Sequence, residues 1–206
     1  MKSRFPYFRW LALIVLITTA GFSTAFAKED APEIAVKNLL DNIKKIKTGD
    51  PISSKHKKTN HELSIKALTF LDLEEVGRKS LGKYWKNLSM EDQKEFVALL
   101  SQLFKKIAFP NSSRFFEGLD IKHRKSKLKK DIATAIIIVT HEKEGEVEID
   151  FVLSKSSGKW KVIEVILDGV SMRNNLRSQF YKIIAQNGYA ELARRMSEKL
   201  KKQDDQ

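Results

Sequence analysis

Over residues 31–110 the apolar positions recur at helical spacing, over 119–167 they follow the period of strands, and beyond Ser171 the helical period returns. The first helical face carries Val36, Leu39, Leu40, Ile43 and Ile46. A basic, solvated connection, "SSKHKKTN", follows Asp50-Pro51, and a short apolar helix is expected around "HELSIKALTFL". Asp72 is placed to cap the next helix, with Glu75 as its capping-box partner; that helix turns Leu73, Val76, Leu81 and Tyr84 inward beside Trp85. Gly77 and Gly82 within it each cost up to about 1 kcal/mol relative to alanine, which points to close packing against a neighbour. Ser89 repeats the cap, with Asp92 at the third position. The long helix it opens has a stripe of Phe96, Leu100, Leu103 and Ile107, flanked by Val97, Leu99 and Phe104, and Pro110 is expected to end it.

The strand region begins with a charged edge over 119–130, whose lysines discourage pairing with other chains. "DIATAIIIVTHE" is apolar on both faces, as a central strand should be. "GEVEIDFVLSK" sets Val147, Ile149, Phe151 and Leu153 against Glu146, Glu148 and Asp150, and "GKWKVIEVILDG" supplies a fourth strand. Glu144-Gly145 and Ser157-Gly158 mark tight connections, so an antiparallel meander is expected. Two helices separated at Asn187-Gly188 finish the chain. The class is therefore α+β: a curved antiparallel sheet of about four strands, packed by helices from both ends of the chain.

The first 27 residues change how the rest is read. Lys2, Arg4 and Arg9 precede an apolar run and an Ala25-Phe26-Ala27 ending, the layout of a secretory signal peptide cut after Ala27. The run is well short of the ~20 residues of a spanning helix. An exported single domain over 28–206 is expected. Removing those three cations lowers the formal charge from +12 to about +9. Outside the cytoplasm such a charge suits anionic membrane or acidic protein faces rather than nucleic acid. Cysteine is absent from the sequence, which excludes disulfides and a lipid-anchored N-terminus.

Catalytic chemistry is sparse. The histidines, His56, His61, His123 and His141, are scattered without metal-ligand spacing, so no metal or cofactor is expected. Ser171 in "DGVSM" lacks the nucleophile-elbow pattern and suits a helix N-cap. Asp168 or Asp150 with Tyr84 could serve a small apolar substrate on a cone-shaped α+β fold, and this enzyme reading stays open. The basic run over 122–130, with Lys125, Lys127 and Lys129, has no interleaved aromatics for nucleic acid. It reads as a solvated edge or as a docking surface. Apolar supply is generous, and pattern alone leaves a solid-cored interaction protein and a hollow domain both standing.

Two blocks resemble a known family. "LDLEEVGRKSLGKYWKNLSMEDQKEFVALLSQLF" and "DGVSMRNNLRSQFYKIIAQNGYAELARRMSEKL" are similar, in order, to blocks of the MlaC-type periplasmic phospholipid-binding proteins, the toluene-tolerance family. Leu176 stands where that family usually has an aromatic, and "IAFPNSSRFF" departs from its usual helix end. The resemblance implies a soluble, monomeric, non-enzymatic periplasmic carrier that holds phospholipid acyl chains in an apolar cavity. It implies partners in an outer-membrane lipoprotein complex and an inner-membrane ABC transporter with an MCE component. Under it, the helices before the sheet offer Val76, Leu81, Tyr84, Phe96, Leu100, Leu103, Phe104 and Ile107 to the lipid. The strands offer Ile136, Ile138, Phe151, Val165 and Leu167, and the final helix Val170, Met172, Leu176 and Phe180, with Arg177 at the rim.

Overall fold

The computed structural model describes residues 31–49, 51–141, 145–156 and 158–204, so the expected presequence lies outside the described residues. The first apolar face forms α1 (Pro32–Lys44) and buries Val36, Leu39, Leu40 and Ile43. α2 (Ser54–Leu68) starts earlier than its apolar residues suggest. Ser53 caps it by accepting the His56 N–H at 3.3 Å, so the lysines expected in a connection form its solvated first turns.

Asp72 caps α3 (Leu73–Leu81), accepting the Glu75 N–H at 3.0 Å. Glu75 does not complete a capping box; its carboxylate pairs with Arg78 at 2.7 Å and Lys79 at 3.1 Å. A 3-10 turn (Gly82–Asn87) leads to α4 (Met90–Leu103), capped by Ser89. Pro110 does not end this helix, contrary to the sequence expectation. A π turn (Phe104–Ala108) joins α4 to α5 (Phe109–Phe115), with Phe109 N–H bonding to the Phe104 carbonyl. Proline lacks the N–H and crowds the preceding turn of a regular α-helix. The wider π turn relieves that conflict.

The strands are β1 (Asp120–His123), β2 (Lys127–Lys129), β3 (Ile132–His141), β4 (Gly145–Ser156), β5 (Lys159–Leu167) and β6 (Val170–Ser171). All pair antiparallel in the order β1-β3-β4-β5-β6, with β2 beside β1 on the same edge of β3. The expected first strand is thus broken into β1 and β2, and a two-residue β6 follows the turn at Asp168, giving six strands instead of about four. Between the pairs Val152–Glu164 and Leu153–Val162 the register shifts, leaving Ile163 as the extra residue of a bulge that bends β5 against β4. The chain before α3 joins the sheet: Leu71 bridges Val162, and the Val162 N–H donates to the Phe70 carbonyl at 2.8 Å. The final helix, α6 (Met172–Asp204), is broken at Gly188 as expected.

Two apolar clusters result. The sheet cluster joins Ala133, Ala135, Ile137 and Val139 of β3 and Ile149, Phe151 and Leu153 of β4 to α1 and Phe109. The helical cluster joins Val76, Leu81, Trp85, Phe96, Leu100, Phe180, Leu192 and Met196. Leu73 and Phe104 pack against both. Each fully buried large side chain contributes about 1.5–3 kcal/mol. An exposed pair such as Lys122–Glu146, at 4.0 Å, adds at most about 1 kcal/mol, so the clusters carry the fold.

Candidate functional site

The apolar residues singled out in the sequence divide between these clusters and the seam where they meet. Val76, Leu81, Phe96, Leu100 and Phe180 are buried in the helical cluster, where Phe96 meets Phe180 edge-on at 5.6 Å. Phe151 is buried in the sheet cluster. Val165 and Leu167 are half-buried against the sheet cluster, Leu103 and Leu176 against the helical one, and Phe104 against both. Ile107 and Met172 are also half-buried. Each cluster therefore has large apolar side chains at its margin that it does not cover completely, and Phe104 lies at the margin of both.

Three placements differ from expectation. Val170 is 56% exposed, because it pairs with Leu167 in β6 before the helix begins. Ile136 and Ile138 point away from the sheet cluster. Both are buried, but their partners on β4 are Asp150 and Glu148, so they share a face with charged side chains, including the Arg124–Glu148 pair at 3.3 Å. Tyr84 is half-buried and turns its ring edge to Tyr181, 4.9 Å away. The residues of the enzyme reading, Asp168 or Asp150 with Tyr84, stand on different elements. Asp168 occupies an exposed turn at φ 46°, and Asp150 sits on the charged face of β4, while Tyr84 lies in the helical layer.

The polar positions around the seam are structural latches. Arg177 Nε–H donates to the Lys79 carbonyl at 3.0 Å, satisfying a carbonyl that the end of α3 leaves free. Tyr181 Oη accepts the Lys83 N–H at 3.0 Å. A Cβ on Gly82 would lie 2.2 Å from that oxygen, and one on Gly77 would lie 3.1 Å from the Phe96 ring, so the close packing expected at both glycines is present. Ser171 caps α6, accepting the Asn174 N–H at 3.0 Å.

Glu164 was not singled out by sequence pattern, yet it organises the start of α6. It is buried, with 6% exposure. Its carboxylate accepts Ser171 Oγ–H at 2.8 Å and the Arg173 N–H at 3.0 Å, and the Arg173 guanidinium lies 3.2 Å away. The available signal was a lone acid inside the apolar run "VIEVIL". Lys125, Lys127 and Lys129 are exposed along the β2 edge beside Leu128, itself 65% exposed.

Among the described residues, no helix is long and apolar enough to cross a membrane, and no three His, Cys, Asp or Glu side chains are grouped to hold a metal. The family profile described as MlaC protein matches residues 35–198. The phospholipid-binding protein from Ralstonia solanacearum, solved in complex with a phospholipid, shares the fold at a TM-score of 0.64 and 18% identity. The match covers 82% of this chain and 94% of that one. No curated protein matches the sequence.

Proposed function

The chain belongs to the MlaC family, and from that premise we propose that it is a periplasmic phospholipid carrier, exported by cleavage after Ala27. It holds acyl chains at the seam between the sheet and helical clusters. It exchanges lipid with an outer-membrane lipoprotein complex and an inner-membrane ABC transporter bearing an MCE component. The observation that carries this reading is the set of half-buried apolar side chains at the margins of the two clusters, Leu103 and Leu176 on the helical one, Val165 and Leu167 on the sheet one, with Phe104 packed against both. The lipid in the Ralstonia protein of the same fold supports it.

The energetics suit a carrier. Taking a chain of about 16 carbons out of water is worth ~12 kcal/mol at ~0.8 per CH₂. That chain is already dry in a bilayer, so the protein need only match the bilayer's apolar surroundings. Entry at the seam exchanges contacts between the clusters for contacts with lipid, which keeps loading near balance. The reading requires no catalytic group.

Native mass spectrometry of the exported protein tests it. The expected result is a chain starting at Lys28 with added mass of phospholipid size that chloroform removes. Repeated lipid-free preparations from a membrane-rich host would overturn the assignment.

A further inference from the structure

A cleft of about 700 Å³ opens between the α1–α2 connection, α2 and the helix around the π turn. Its lining includes Lys47, Lys57, His61, Lys105, Lys106 and Arg114, and none of the described lining residues is acidic. From this arrangement we infer that the cleft is a binding site for a phosphate-bearing anion. The cleft shares no lining residue with the half-buried apolar set of the proposed acyl site, and the inference does not depend on lipid being held there.

The walls are fixed by specific bonds. The Lys47 N–H donates to Asn60 Oδ1 at 2.9 Å, and Asn60 Nδ2–H returns a bond to the Lys47 carbonyl at 2.7 Å. Ser113 Oγ–H holds the neighbouring Ile46 carbonyl at 2.7 Å. The α1–α2 connection is thereby pinned to both α2 and α5. Opposite it, the π turn presents Lys105 and Lys106, and such turns are frequent at functional sites.

Lys47, Lys57 and Lys105 form no ion pair among the described residues, and Arg114 bonds to a neutral partner, Asn111 Oδ1, at 2.7 Å. Like charges gathered in a concave site repel each other and focus an anion-attracting potential. A singly charged carboxylate leaves most of that charge uncompensated. A phosphate brings more charge and several acceptor oxygens, and the Arg114 fork matches it geometrically. The cleft has the volume of a small-molecule site, and most of its lining residues are polar or basic.

The test is calorimetric titration of the delipidated mature protein with inorganic pyrophosphate. Wild type is expected to bind saturably, and more weakly as salt rises. The K57E/K105E variant should bind at least tenfold more weakly with its thermal unfolding preserved; K57Q/K105Q replaces it if the acidic pair unfolds. The milder truncation Leu176→Ala, at the margin of the helical cluster, should leave pyrophosphate binding intact, which separates this site from the acyl site. Dihexanoyl phosphatidylglycerol below its micellar concentration identifies the source. Competitive displacement of pyrophosphate assigns the cleft to a lipid headgroup, and absence of displacement assigns it to a soluble phosphate. Absence of saturable pyrophosphate binding, or equal binding by wild type and the charge variants, overturns the inference.

Discussion

Gly82 is held by two constraints at once. Its φ of 50° favours glycine, and a side chain there meets the Tyr181 hydroxyl that accepts the Lys83 N–H. Gly82→Ala should therefore cost about 2–4 kcal/mol from strain and overpacking together. Removing the hydroxyl with Tyr181→Phe should recover only part of it, since the backbone strain remains. Urea unfolding of the two single variants and the double variant measures this coupling; a Gly82→Ala protein as stable as wild type removes it. Asp150 gives a test of opposite sign. Burial raises its pKa above the usual 3.8, and the Glu148 charge adds to the rise. Its Oδ1 is buried without a hydrogen-bond partner. A raised folded value means its stabilising contribution is full below the unfolded pKa and is lost as pH rises through the folded one. Asp150→Asn should therefore be more stable than wild type at neutral pH, with the difference shrinking toward pH ~3.5. An advantage that grows on acidification contradicts the placement.

The elements themselves were largely legible, because caps and periodicity are local properties. Asp72, Ser89 and Ser171 each bond to an N–H three residues on. The break at Gly188 follows from a φ of 79° and ψ of 174° that side-chain-bearing residues avoid. What could not be read was set by partners distant in sequence. "AIIIV" is apolar on both faces, so only pairing with Glu148 and Asp150 shows that Ile136 and Ile138 face the charged side. The π turn that absorbs Pro110, and the division of the interior into two clusters, are likewise products of packing. Among the candidate residues, those in the helices are buried or half-buried, whereas Val170 was carried out by a strand that local pattern does not announce. The α6 face yields its own prediction. Leu176→Asp puts a carboxylate at a half-buried apolar position of the helical cluster, where an unpaired charge is strongly disfavoured. In a carrier that can admit water, the delipidated variant should fold yet hold little lipid. In a solid core the change should cost several kcal/mol, enough to unfold a domain of ordinary stability. Thermal unfolding and bound lipid, measured on delipidated and reloaded samples of both proteins, separate these outcomes; failure to fold where delipidated wild type does would falsify the assignment of this face to lipid.

For the whole molecule, the formal charge of +12 is distributed so that one sheet edge carries Lys125, Lys127 and Lys129 with exposed Leu128 among them. If this edge docks anionic surfaces during delivery, replacing the three lysines by glutamate should slow lipid transfer to anionic vesicles several-fold and flatten its salt dependence. Lipid content should be unchanged. Equal transfer rates at low salt return the edge to simple solvation. The joint formed by Leu73 and Phe104 has a consequence for how the molecule breathes. Two interiors touching through half-buried side chains need not exchange their amide hydrogens as one block. Strands β3, β4 and β5 should share one protection class, and α3, α4 and α6 another. A bound chain lying across the joint would tie the two together, so loading should appear in hydrogen exchange as a gain of cooperativity: two openings before the lipid, one after it.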